Sequence, residues 1–384
     1  MPQRVTIEKL VFGGYGLART DAGVIFVTGV APGETVCIEP FAKKGGSAIT
    51  RPVEIIESSP ARRTPPCPLA GRCGGCDWLY IAYHAQREAK QMIVRDCMTR
   101  IGRLKELPDI ETISGDEFSY RHRCQIKISA EGNAGFYARN TNDVVTVTAC
   151  PLLVPAINAL LADLASCRVS LPPGATSIMV MAGDNDAVAS SPMIPGRTTA
   201  GVTLTVDDKK FEVQANGFFQ SNRPLLRDFG AWARPFIGGN FFIDLYGGSG
   251  FFSLMLAERF KQGLLIESVN AQVQQARENF RRNGCTDMAA RSGRAEDLAG
   301  IVDSRKIDCL IVDPPRPGLT RKACESIAGL APESLLYISC NPSTQARDLG
   351  FLVTKAGYVV ENIALFDLYP NTHHIESVAL LERR

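Results

Sequence analysis

The sequence predicts a mixed α/β protein in three parts. A small N-terminal β-barrel over residues 1–60 is followed by a central α+β domain over 61–210 and a C-terminal doubly wound, Rossmann-like α/β domain over 211–384. Three observations predict this. Short alternating runs broken by turns every 8–12 residues or so fill the first sixty positions. A proline-rich stretch at 58–66 separates them from a cysteine-rich turn. From about residue 223, short and nearly all-apolar runs alternate with helical segments, as expected where strands are buried on both faces. A length of 384 residues suits two or three cores. With 45% hydrophobic residues and a net charge of +2, a disordered chain is excluded. No uninterrupted apolar run reaches about 18 residues, so no membrane partner is expected. The N-terminus lacks a leader pattern, which points to the cytoplasm.

In the first part, Val5 to Leu10 alternates, Gly13, Gly14 and Gly16 turn the chain, and 24–27 and 34–39 read as further strands. Lys43, Lys44, Gly45 and Gly46 form a basic hairpin tip before a strand at 51–56. This is a generic small barrel or an oligonucleotide-binding one. The central part offers a helix at 83–103, alternating runs at 124–128 and 144–148, a helix at 154–165 and strands at 177–181 and 202–206. In the last part, strands at 241–245, 263–266, 307–312 and 335–339 alternate with helices at 252–259, 271–283 and 321–329.

The first of these strands runs into Asp244-Leu245-Tyr246-Gly247-Gly248-Ser249-Gly250. An acidic residue before a Gly-x-Gly turn (Gly248, Gly250), with a second acid, Glu267, ending the next strand, suits an adenosine ligand whose ribose hydroxyls a carboxylate accepts. The shortened glycine pattern fits S-adenosylmethionine, which has no pyrophosphate to seat; a structural turn or an NAD site stays open at this point. Asp313-Pro314-Pro315-Arg316 follows the strand at 307–312, and the prolines stiffen that loop. Cys340, in Ser339-Cys340-Asn341-Pro342, ends another strand at the same sheet edge, where such folds bind ligands. A thiol there is better placed for chemistry than for packing.

These motifs, together with Gln214-Ala215-Asn216-Gly217-Phe218-Phe219-Gln220-Ser221-Asn222 and His374-Ile375-Glu376, resemble those of the S-adenosylmethionine-dependent RNA uridine-C5 methyltransferases. The order is the family's over 211–384, and the front of the chain is similar to the RNA-binding TRAM domain many members carry. The resemblance implies Cys340 as the nucleophile that adds to uracil C6, Glu376 as the base that removes the C5 proton, and Asp313 beside the methyl and the base. The chemistry agrees, because uracil C5 becomes nucleophilic only after a thiolate adds at C6. The resemblance also implies Gln220, Tyr246 and Glu267 as S-adenosylmethionine contacts. Gly247 stands where members usually have Cys, Phe251 where Asn is frequent, and Arg294 where an Asp or Asn often faces the adenine.

Cys67, Cys73 and Cys76 form C-x5-C-x2-C, with Cys150 before Pro151 as a distant fourth. Four thiols without a nearby His suit tetrahedral zinc or [4Fe–4S] equally by spacing. The resemblance implies the cluster, found chiefly in the ribosomal-RNA branch. Charge divides unevenly: residues 61–105 hold nine Lys or Arg against three acids, whereas 151–384 hold 23 against 24. The near-neutral total therefore does not argue against nucleic acid, and a phosphate-contacting surface is expected near the cysteine loop. Trp78, Tyr80 and Phe219 are candidates for stacking on unpaired bases and equally for the core. The resulting expectation is a monomeric enzyme forming 5-methyluridine in structured RNA, with 23S rRNA ahead of the tRNA T-loop. RNA cytosine-C5 methylation is disfavoured by the glutamate motif. The contrasting class, a catalytically inactive iron–sulfur RNA-binding protein or electron carrier, is disfavoured by the set Asp313, Cys340 and Glu376.

Overall fold

The structure is a computed structural model that describes residues 3–21, 23–39, 48–302 and 305–384. Its largest element is an eight-stranded sheet. The order runs Met288–Ser292, Phe260–Glu267, Gly239–Leu245, Cys309–Val312, Ser334–Ser339, Glu376–Arg383, Tyr358–Phe366 and Ile110–Ile113. The first five strands pair in parallel, and Glu376–Arg383 runs antiparallel to both its neighbours. Strand order reverses between Gly239–Leu245 and Cys309–Val312, and the crevice at such a reversal is where doubly wound folds bind ligands.

The apolar runs are explained by burial on two faces. Ile243, Leu245, Leu310 and Val312 pack into one core, whereas Phe242, Cys309 and Ile311 point into the other. The second core contains an aromatic group in which Phe219 lies 5.4 Å from Phe211 and 5.5 Å from Phe251.

The N-terminal part consists of a three-stranded and a four-stranded sheet around Val5, Ile7, Ile25, Val27 and Val36. The basic tip expected at 43–46 lies outside the described residues. The central part holds a five-stranded sheet covered by the helix Pro155–Ala165, with Ile126, Ile157, Leu161 and Val180 between them.

The expected limits of the central domain do not follow these cores. The helix Tyr83–Arg100 buries Ile93, Val94 and Met98 against Leu349 and Leu352 of the C-terminal part, and Ile110–Ile113 pairs in parallel with Tyr358–Phe366. At the other end, residue 210 falls inside the hairpin of Gly201–Val206 and Lys209–Gln214, whose Val202, Leu204 and Phe211 pack with the C-terminal aromatics. Amphipathic pattern identifies such elements but does not say which core their apolar faces join.

Candidate active site and cysteine cavity

The Gly239–Leu245 strand ends in a turn whose backbone is set by two left-handed residues. Gly248 has φ +55° and Gly250 φ +88°. Asp244 sits behind this turn with no exposure, where its carboxylate accepts from the backbone N–H of Ser253 at 3.0 Å and its hydroxyl at 2.6 Å. Burial pushes its carboxyl up to about 7, against the Ser253 bonds. Gly250 is also buried, with the Phe280 ring where a Cβ would stand. Both were expected at the ligand; they shape the turn from behind instead. Gly248 does reach the cleft, and its N–H donates to Glu267 at 3.3 Å. Glu267 in turn accepts from the N–H of Val269 at 2.8 Å, which fixes its carboxylate at the strand end. Tyr246 takes φ +64°, a strained value for a residue with a Cβ, and its N–H donates to Ile266 at 2.9 Å.

The two loops carrying Asp313 and Cys340 are tied together by Asn341. Its side chain caps the helix Pro342–Ala356, accepting from Ser343 N–H at 3.0 Å, with Pro342 at the first helical position. The same amide donates to the Arg316 carbonyl at 3.0 Å. Arg316 and His374 meet at 3.2 Å; burial and the nearby charges of His373 and Arg316 push the His374 ring down to about 4, so it is neutral and accepts from the guanidinium.

A cleft of about 840 Å³ collects these groups. Gln220, Tyr246, Gly248 and Glu267 line it together with Asp313, Cys340 and Glu376. Desolvation pushes Asp313 up to about 7, with Asp244 adding to it. Glu376 is buried and held well above the carboxylate range by desolvation and by Asp313, with Arg316 opposing. Burial likewise pushes the Cys340 thiol up to about 11, helped by Glu376 and Asp313 and opposed by Arg316. The arrangement is therefore a thiol beside two carboxyls that hold protons near neutral pH.

Phe251 lies in the aromatic core, so position 251 makes no polar contact in the cleft. At Gly247 a Cβ would stand 2.6 Å from Leu265, so a side chain there would require Leu265 to move. Arg294 is exposed and pairs with Glu296 at 3.5 Å.

Cys67, Cys73, Cys76 and Cys150 line a second cavity of about 480 Å³, and Gly74, Gly75 and Arg121 border both cavities. Burial pushes Cys76 up to about 12, and the neighbouring charges of Cys150, Cys73 and Cys67 push in the same direction. Asn158 fixes the fourth thiol's turn by accepting from Cys150 N–H at 2.8 Å and donating to its carbonyl at 3.0 Å. Gly74 lets the loop approach Tyr137, whose carbonyl accepts its N–H at 2.9 Å. Among the described residues, no group of three or more His, Cys, Asp or Glu lies close enough to hold a single metal ion.

Of the two alternatives for the aromatics, packing is the one found. Trp78 has no exposure and Phe219 is core, while Tyr80 donates to the Val30 carbonyl at 3.2 Å beneath the Arg62 guanidinium. Phe218, an aromatic in the cleft wall, is 52% exposed, with Arg123 5.5 Å from its ring centre. Sequence reading also passed over Tyr369 and Thr372 in the cleft wall.

Comparison with known proteins shows the family. The profile described as tRNA (Uracil-5-)-methyltransferase matches residues 197–384. A relative from Chromohalobacter salexigens, 23S rRNA (uracil(1939)-C(5))-methyltransferase RlmD, is 32% identical over 99% of this chain and 89% of its own. The chain belongs to the RNA uracil-C5 methyltransferase family. An uncharacterized RNA methyltransferase from Aquifex aeolicus is 33% identical over 99% of this chain and 98% of its own. The crystal structure of Pyrococcus abyssi tRNA (uracil-54, C5)-methyltransferase with S-adenosyl-L-homocysteine shares the fold. It has a TM-score of 0.79 and 21% identity over 99% of this chain and 100% of that one. As a member of this family the protein is an S-adenosylmethionine-dependent enzyme acting on RNA. Among the described residues no helix is long and apolar enough to cross a membrane.

Proposed function

We propose that the protein is a cytoplasmic, monomeric enzyme that forms 5-methyluridine in 23S rRNA. The observation that carries the RNA class is the full-length likeness to a 23S rRNA uracil methyltransferase. S-adenosylmethionine supplies the methyl group, and Gln220, Tyr246, Gly248 and Glu267 would hold it along the first two strand ends. The fit rests on a cleft at the sheet's reversal point with the Glu267 carboxylate fixed at its rim.

Cys340 acts as the nucleophile. Its thiol loses a proton and the sulfur adds to uracil C6, which places negative charge on the C5–C4–O4 unit. The Arg316 guanidinium favours the thiolate, and protonation of Asp313 and Glu376 removes the charges that oppose it. After C5 has gained its methyl, Glu376 in its ionised form takes the C5 proton and the sulfur leaves C6. A base with a raised pKa is well matched to that transfer near neutral pH. Asp313 would lie beside the methyl and the base, and its charge adds to the burial that raises Glu376.

The four cysteines would hold a [4Fe–4S] cluster that pins residue 150 to the loop at 67–76. Support comes from four thiols on one cavity whose charges oppose one another, a situation a cationic iron core relieves. The N-terminal sheets would act as a TRAM-like RNA contact, with Arg121, Arg123 and Phe218 closest to the reacting base.

The deciding experiment maps 5-methyluridine in total RNA from cells lacking the gene. Loss of one 23S rRNA modification, restored by the gene, is expected. Loss confined to the tRNA T-loop would instead assign the tRNA reading.

A further inference from the structure

The segment 367–376, which delivers Glu376 to the cleft, is fastened mostly by residues from the front half of the chain. Lys90 donates to the Tyr369 carbonyl at 2.9 Å, Tyr120 to that of Pro370 at 3.0 Å, and Trp78 N–H to that of Asn371 at 3.1 Å. A further fastening comes from the cysteine loop itself. Asp77, adjoining Cys76, accepts from His373 Nδ1 at 2.6 Å with one carboxylate oxygen and from Arg139 at 2.7 Å with the other. Arg139 also donates to the Cys76 carbonyl at 2.9 Å.

An ionised carboxylate only accepts, so Asp77 fixes the proton of His373 on Nδ1 and with it the ring's orientation. That ring lies 4.5 Å from His374, centre to centre, and Phe12 meets it edge-on at 6.5 Å. His374 in turn accepts from Arg316 and is two residues from Glu376. A continuous set of contacts thus runs from the cysteine loop to the base.

We propose that Asp77 is a positioning residue for methyl transfer, which holds Glu376 in place through His373 and makes the cysteine loop part of the active-site frame. This rests on the reading of Glu376 as the base. A shift of about 1 Å in a reacting group can reduce turnover by about a hundredfold. The step that suffers is proton removal from C5, because Cys340 stands on a different loop held by Asn341.

The test uses the full-length protein purified without oxygen, with Asp77→Asn, His373→Ala, the double variant, and Glu376→Gln alongside. Asp77→Asn and His373→Ala should each lower kcat about 10- to 100-fold with KM for RNA within about twofold of the parent. Both should accumulate a covalent RNA–protein adduct, and the double variant should be no worse than the poorer single one. Iron content and visible absorption should match the parent in His373→Ala, which touches no cysteine; if Asp77→Asn loses iron or fails to fold, His373→Ala decides. Parental kcat in His373→Ala, a kcat loss without adduct, or additive losses in the double variant would overturn the proposal. If Glu376→Gln itself yields no adduct, the base assignment fails, and the positioning role is decided by kcat and the double variant alone.

Discussion

Lys90 and Asp367 form an ion pair of 2.7 Å between side chains with no solvent exposure, one on the helix Tyr83–Arg100 and the other at the start of the segment leading to Glu376. Burial drives the amine pKa down, and the carboxylate beside it opposes that shift. Breaking a buried pair leaves one uncompensated charge, which costs about 3–5 kcal/mol. Lys90→Met should therefore destabilise the protein by about that amount. Denaturant unfolding measures it, and a loss below about 1 kcal/mol would show that the pair is not a principal tie.

Proton uptake in the cleft has a consequence for stability. Asp313 and Asp244 are held near 7 and Glu376 well above its ordinary value, so the folded state keeps protons that the unfolded chain releases above about pH 4. Their stabilising contribution is complete below pH 4 and is lost as pH rises through about 7. Asp313→Asn should flatten the fall in stability between those limits. Unfolding free energies at pH 4.5 and 7.5 test it, and an unchanged difference would contradict the shared burial of these carboxyls.

Adduct formation should depend on pH in the opposite sense. With the Cys340 thiol near 11, the thiolate fraction grows as pH rises, so the rate of RNA–protein adduct formation should climb between about pH 6 and 9. Cys340→Ala should abolish both adduct and methylation while retaining S-adenosylmethionine binding. A flat profile, or residual activity in the alanine variant, would exclude the covalent route.

The cysteine cavity makes a compositional prediction. Anaerobically purified protein should be brown and contain about four iron atoms per chain. Cys76→Ser, which removes the thiol facing the other three, should lose both colour and iron. Colourless parent protein with one zinc would replace the cluster by a single-ion site.

Phe219 is a packing residue and Phe218 is not. Phe219→Ala should cost about 3–5 kcal/mol by opening the aromatic core. Phe218→Ala should leave unfolding within about 0.5 kcal/mol of the parent and raise KM for RNA. Reversed effects would mean that the two rings exchange places.

Those two residues also show why some of the site was legible in the sequence and some was not. The glycine turn, the Asp313 loop and Cys340 are local: a few adjacent residues determine both their backbone and their place at a strand end. Phe218 and Phe219 are neighbours beyond the end of the Lys209–Gln214 strand, one exposed and one buried, and the sequence does not reveal which. Trp78 stays open in the sequence between packing and stacking for a related reason, since its surroundings, Lys90 and the Gly14 carbonyl, come from elsewhere in the chain. Asp244 and Gly250 were assigned to the ligand because they stand beside residues that do line the cleft. The ties on segment 367–376 join residues far apart in sequence and leave no periodic signal. The same holds for Ile110–Ile113, a four-residue strand whose partner, Tyr358–Phe366, is near the other end of the chain.

That distant pairing bears on how the molecule is made. During synthesis, Ile110–Ile113 emerges long before Tyr358–Phe366, and the helix Tyr83–Arg100 must likewise wait for the helix Pro342–Ala356 on which it packs. The front half thus leaves the ribosome with an apolar helix face and an unpaired strand that only the final fifty residues cover. Closing such long loops is slow, and the exposed edge invites pairing with other chains meanwhile. A fragment beginning at residue 211 faces the complementary problem, because its last-made sheet ends in a bare strand. The helix Tyr83–Arg100 and the strand Ile110–Ile113 thus complete the C-terminal sheet and its core, and a cut at residue 211 separates them from it.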